Sequence, residues 1–247
     1  MSALNTLRAI IFYIVYAASV VVHSTLMLCV AAFMPYPKRY RLLMLWNRFA
    51  VQWVRVACGV RFSVDGIDNL PAHPVIVISN HQSAWETVYL PTRFPQLCTL
   101  LKRELLRIPF FGWGLALMRP IAIDRDNPRE ALKQMMSKAT RRLEDGCSVL
   151  IFPEGTRVLP GTKLRFARGA GQLAANTGAQ FVCVAHNAGK YWPIKQLAKK
   201  PGTIRVAISP PFDSTGLSAA AITSLAQNWI QSKLDEFEQV DAGFVTS

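Results

Sequence analysis

Val75-Ile-Val-Ile-Ser-Asn-His-Gln-Ser-Ala-Trp-Glu-Thr87 changes character halfway along. Val75–Ser79 is β-prone and apolar up to its last residue, and Gln82 to Thr87 has the texture of the first turns of a helix. A strand that hands over directly to a helix is the repeating unit of an α/β sheet. His81 falls in the turn between them, where a loop exposes a side chain on a rigid base. Glu86 follows five residues later. On an unbroken helix that offset is about 500°, which leaves the two side chains roughly 140° apart. They meet only if His81 precedes the helix and Glu86 reaches back. The expected product is an imidazole base oriented by a carboxylate, with no serine or cysteine nucleophile specified.

The same alternation continues on both sides of this stretch. Val60–Val64, Leu97–Leu101, Ile121–Asp124, Cys147–Phe152, Phe181–Ala185 and Thr203–Ser209 read as further strands. Pro128 to Glu144 is the clearest helix between them, with Leu132, Met135, Met136, Ala139 and Leu143 on one stripe. Ala167–Thr177 and Ser218–Glu238 follow the same pattern. The fold class expected is α/β, a mostly parallel sheet flanked by helices. In such sheets functional residues gather beyond the carboxyl ends of the strands.

A different texture precedes this domain. Ala9 to Met34 carries no Asp, Glu, Lys or Arg. As a helix it would run about 39 Å, against a bilayer core of about 30 Å. The polar cluster Ser19, His23, Ser24 and Thr25 in its middle suggests a break and a re-entrant or interfacial segment. A tilted span and a cleaved signal peptide are the other readings. Pro35-Tyr36-Pro37 ends it, and Arg41 to Cys58 is amphipathic, with Arg41, Arg48, Gln52 and Arg55 on one face and Trp46 and Trp53 among its apolar residues. Such a helix suits a bilayer interface, and an amphipathic helix packed on the core is the other reading. The expected division is 1–58, membrane-embedded or interfacial helices, and 59–247, the α/β domain.

Net charge is +13 over 247 residues, of which 51% are hydrophobic, and mean hydropathy is +0.21. No acidic residue occurs before Asp65, whereas Arg8, Lys38, Arg39, Arg41, Arg48, Arg55 and Arg61 all do. This one-sided charge favours an anionic membrane surface as partner. It places the following domain on the cytoplasmic side of a cytoplasmic (inner) membrane. Nucleic acid is not expected, since no recognisable nucleic-acid motif accompanies the charge. Five cysteines without paired spacing argue for a reducing compartment, and no His/Cys/Asp/Glu set has metal-ligand spacing.

Residues just after the strands converge in type. Pro153-Glu154-Gly155-Thr156-Arg157 supplies a tight turn, a hydroxyl and a bidentate anion clamp. Asp124-Arg125, Lys102-Arg103-Glu104 and His186-Asn187 end other strands. Several cations beside a His/Glu pair suggest a phosphorylated substrate next to a general base. His23 and His73 read as packed and surface residues; His186 is a weaker functional candidate. Phe110, Phe111 and Trp113 suit the core, a groove for an apolar ligand or contact with lipid.

These motifs resemble the glycerolipid acyltransferases. His81-Gln-Ser-Ala-Trp-Glu86 is similar to their histidine-x4-acid motif, with Glu where the family usually has Asp. Phe152-Pro-Glu-Gly-Thr-Arg157 matches their phosphate-site motif, and Pro120–Arg125 and Phe181–Gly189 resemble two more blocks. Lys102–Trp113 resembles the stretch typical of the lysophosphatidate-acylating branch. The resemblance covers roughly 65–209. It implies that branch's fold and activity: transfer of an acyl group from acyl-CoA or acyl carrier protein to the sn-2 hydroxyl of lysophosphatidate. No cofactor or metal is implied. His81 and Glu86 would be the base and its orienting acid. Glu154, Gly155, Thr156 and Arg157, with Arg125 and Lys102, would hold the glycerol phosphate. Backbone N–H groups around Asn80–Ser83 would steady the oxyanion. Other acceptors, such as glycerol 3-phosphate or another lysolipid, keep the same fold. A non-catalytic, basic lipid-binding module is the reading from a different class.

Overall fold

The computed structural model describes residues 3–31, 33–124 and 128–243. Two long helices come first, α1 (Ala3–Ala31) and α2 (Tyr36–Cys58). The sheet follows, with β1 (Val60–Asp65), β2 (Ile76–Ser79), β3 (Cys98–Lys102), β4 (Ile121–Ile123), β5 (Val149–Ile151), β6 (Phe181–His186) and β7 (Gly202–Ile208). Short helices α3 (Trp85–Tyr89) and α4 (Phe111–Ala116) follow β2 and β3; α5 (Pro128–Glu144) and α6 (Gly169–Thr177) flank β5; α7 (Ala188–Tyr191) follows β6 and α8 (Ala219–Gly243) closes the chain.

The strand order is β1-β7-β6-β2-β5-β3-β4. Pairs β2–β5, β2–β6, β3–β4 and β3–β5 are parallel. The β6–β7 pair is antiparallel, so β7 and its parallel partner β1 run the other way. The sheet is therefore mostly parallel, and the carboxyl ends of β2, β3, β4, β5 and β6 share one edge.

Strand residues divide by parity, as a sheet buried on both faces requires. Val75, Val77, Leu150, Val182 and Val184 pack with α1, α2 and α3. Ile76, Ile78, Val149, Ile151, Phe181 and Cys183 pack with α5, α6 and α8. The two N-terminal helices are part of this structure: Phe12, Met27, Leu43, Val51 and Val54 share one core with the strands.

Helix α1 is unbroken, which corrects the expected interruption at the polar cluster. Ser19 Oγ donates to the Tyr16 carbonyl (2.8 Å) and Thr25 Oγ1 to that of Val21 (2.8 Å), so both hydroxyls are satisfied within the helix. Ser19 Oγ also accepts the Trp46 indole N–H, and Trp53 donates to the Phe12 carbonyl. These contacts lay α2 antiparallel to α1. Ser24 is buried against α4, where a Cβ on Gly114 would meet Ser24 Oγ at 2.5 Å. Lys199 secures the other half of α1: its Nζ donates to Tyr13 Oη (2.6 Å) and lies over the Phe12, Tyr13 and Trp192 rings.

The opposite face of α1 is apolar and exposed, with Leu7, Ile10, Ile14, Val21, Val22 and Leu26. Leu4–Ala31 is long and apolar enough to cross a membrane by length and composition. On α2 the exposed Arg41, Arg48 and Arg55 alternate with exposed Leu45, Phe49 and Val56. Together these form an exposed apolar surface edged by cations, the chemistry that suits a membrane interface.

Candidate active site

Strand β2 ends at Ser79 and α3 starts only at Trp85, so residues 80–84 form a loop. The helix is shorter than the sequence suggests, and that shortness solves the five-residue offset. From the first turn of α3, Glu86 folds back, and its Oε1 lies 2.8 Å from His81 Nδ1. The same oxygen accepts the backbone N–H of Gln82 (2.9 Å) and Ser83 (2.7 Å). Burial of Glu86 opposes its ionisation, but the imidazoles of His186 and His81 and the Ser83 N–H outweigh it and hold the carboxyl below its usual range. An ionised Glu86 accepts a hydrogen bond from Nδ1–H, which leaves the lone pair of His81 on Nε2.

Phe152, from the end of β5, lies under the His81 ring with centroids 4.1 Å apart and planes 14° apart. Asn80 is fully buried and stitches β2 to β6: its amide donates to the His186 carbonyl (2.9 Å) and accepts the His186 N–H (3.0 Å). His186, the weaker candidate, is fully buried. Its Nδ1 accepts the Ala188 N–H, so Nε2 carries the proton and donates to the Asn80 carbonyl (2.8 Å). Burial lowers its pKa, against the opposing charge of Glu86. It is a buried cross-brace beneath the loop that carries His81.

Beside His81 opens a cavity of about 500 Å³. Its polar lining includes His81, Lys102, Thr156 and Arg157; its apolar lining includes Leu43, Trp46, Val88, Leu101, Phe111, Leu115 and Met118. Gly155 sits at φ +71 with open space around its α-carbon, the left-handed turn that exposes Thr156 and Arg157. None of the ion pairs among the described residues includes Arg157. Lys102 pairs with Glu104 at 3.4 Å, but both are about half exposed, so water weakens the pair. Arg103 faces Asp124 at 3.7 Å, bridging the ends of β3 and β4. Arg125 lies outside the described residues.

Two expectations change. The N–H groups of His81, Gln82 and Ser83 are taken by Glu154 and Glu86, so they cannot serve as oxyanion donors. Glu154 turns its carboxylate to the His81 N–H at 2.5 Å. Sequence reasoning also missed the α1 wall of the cavity, made by Tyr16, Val20, His23 and Ser24. The polar cluster in α1 was the available signal. Its polar residues mark the face that turns inward.

The acyltransferase family model matches residues 61–187. The chain is 43% identical to the 1-acyl-sn-glycerol-3-phosphate acyltransferase of Pseudomonas aeruginosa, over 97% of this chain and 95% of that one. It is 30% identical to the human 1-acyl-sn-glycerol-3-phosphate acyltransferase alpha, over 78% of this chain and 69% of the other. Its fold matches the crystal structure of the Thermotoga maritima 1-acyl-sn-glycerophosphate acyltransferase PlsC, with a TM-score of 0.80, 22% identity and coverage of 95% and 96%. With a histidine–carboxylate pair at the edge of an apolar chamber and this similarity along nearly its whole length, the chain belongs to the 1-acyl-sn-glycerol-3-phosphate acyltransferase family.

Proposed function

We propose that the protein transfers an acyl group from a thioester, acyl-CoA or acyl carrier protein, to the sn-2 hydroxyl of 1-acyl-sn-glycerol 3-phosphate, forming phosphatidic acid. The observation that carries this reading is the His81–Glu86 pair opening on the same chamber that Arg157 lines. His81 Nε2 removes the hydroxyl proton as the oxygen attacks the thioester carbonyl. Glu86 holds the tautomer and stabilises the imidazolium that forms. Collapse of the tetrahedral intermediate breaks the C–S bond, and the thiolate recovers the proton from His81. No acyl-enzyme is needed.

Arg157, Thr156 and the turn at Gly155 hold the acceptor's phosphate, with Lys102 in the same lining adding charge; Arg125 completes the set proposed from the sequence. Seating the phosphate brings the hydroxyl to His81 by proximity. The apolar lining accommodates an acyl chain. Residues 1–58 act as the membrane-docking part and 59–247 as the catalytic domain, on the cytoplasmic side, where the soluble thioester donors are made.

Thioester consumption with a panel of acceptors tests the reading. Consumption should depend on lysophosphatidate and exceed that with glycerol 3-phosphate or uncharged lysolipids. Absence of turnover with every acceptor would leave a lipid-binding module.

A further inference from the structure

Three contacts fix His81 from outside its own segment. Glu154 Oε2 accepts its N–H at 2.5 Å. Its carbonyl accepts the Val158 N–H at 2.8 Å. Phe152 supports its ring face. All three come from 152–158, the stretch that also presents Thr156 and Arg157. Glu86 sets the ring's rotation and tautomer, but the His81 backbone lies past the end of β2 and before α3. Its peptide groups are anchored by the neighbouring loop.

We propose that Glu154 is a positioning residue and not a ligand of the acceptor, so that the loop which seats the phosphate also sets the place of the base. The inference rests on the reading of His81 as general base. A carboxylate repels a phosphate, which makes Glu154 a poor partner for the acceptor's charged group. Its oxygen is instead well placed as a short acceptor for a backbone N–H. Burial, with the Glu86 charge adding to it and the His81 N–H opposing it, raises its carboxyl to about 7. That environment suits an internal brace better than a solvent-facing ligand. Val158 N–H closes the bracket from the other side, so a shift of the 152–158 loop carries His81 with it. Displacement of a base by about 1 Å costs on the order of 10²-fold in rate.

The test uses the full chain in detergent–lipid micelles with acyl-CoA, measuring thiol release against lysophosphatidate concentration. Glu154→Ala should lower kcat by about 10²-fold and leave the KM for lysophosphatidate within about threefold of wild type. Glu154→Gln keeps an acceptor oxygen at the same reach and should recover about tenfold or more of that loss. Glu154→Asp, one methylene short, should stay near the alanine level. A KM raised about tenfold with kcat kept, or glutamine no better than alanine, overturns the proposal. If Glu154→Ala does not fold, the Gln/Asp comparison alone decides. Undiminished turnover of His81→Ala would instead overturn the general-base reading, so the two failures are separable.

Discussion

Glu86 Oε1 receives three donors, His81 Nδ1 and the N–H groups of Gln82 and Ser83, all within 2.9 Å. One oxygen thus shapes the loop and sets the tautomer. Glu86→Gln keeps the side chain's shape but can place an amide N–H against Nδ1, which favours the wrong tautomer. We expect turnover to fall by about 10³- to 10⁴-fold with thermal stability little changed. Single-turnover thiol release checks it. Retention of more than a tenth of the activity would show that the carboxylate does not set the tautomer.

Arg157→Ala should act mainly on acceptor affinity. A lost charge-assisted hydrogen bond is worth about 1.5–3 kcal/mol, so the KM for lysophosphatidate should rise by roughly 10- to 10²-fold. Monoacylglycerol, which has no phosphate, should be insensitive to the change. A like loss with both acceptors would remove Arg157 from the phosphate site.

Glu154 gives a stability signature in pH. Its carboxyl is raised to about 7 in the folded state, above the unfolded value of about 4.3. The folded form therefore binds the proton more readily. Its contribution is complete below the unfolded pKa and is lost as pH rises through about 7, on the order of 4 kcal/mol at most. Glu154→Gln should flatten the decline of Tm between about pH 4.5 and 7. Scanning calorimetry across that window decides it; identical slopes for wild type and variant would reject the raised pKa.

The crossing of α1 and α4 is tight enough to test by size. Gly114→Ala puts a methyl 2.5 Å from Ser24 Oγ and should cost about 1–3 kcal/mol by overpacking. Ser24→Ala in the same chain removes that oxygen and should restore much of the loss. Non-additive Tm shifts in a double-mutant cycle are the expected result; simple additivity would place the two residues out of contact.

The sheet was legible because its strands are short apolar runs separated by turn chemistry, and all seven appear where the pattern puts them. The helix after His81 was read three residues too early. Ser83 explains the delay: its Oγ donates to the Trp192 carbonyl and accepts the Trp85 N–H, and its N–H goes to Glu86. That spends residues 82–84 on the loop. Glu154 was legible as a motif residue but not in its orientation, because the His81 N–H it meets is 73 positions away in sequence. The α1 side of the chamber was hidden for a related reason. Hydropathy reports that a helix is apolar and says nothing of which residues face a distant strand end.

The chamber's walls come from both the sheet edge and the two N-terminal helices, and Phe12, Leu43 and Val54 share their core with Val77 and Val184. Removing residues 1–58 to obtain a tractable soluble fragment would therefore not yield a free-standing enzyme. It would strip one side of the catalytic vessel and leave the β2 and β6 valines naked to water. If α1 and α2 dock on a bilayer as proposed, its thickness and lateral pressure should be felt at the reaction centre, and the lipid in which turnover is assayed should change the rate.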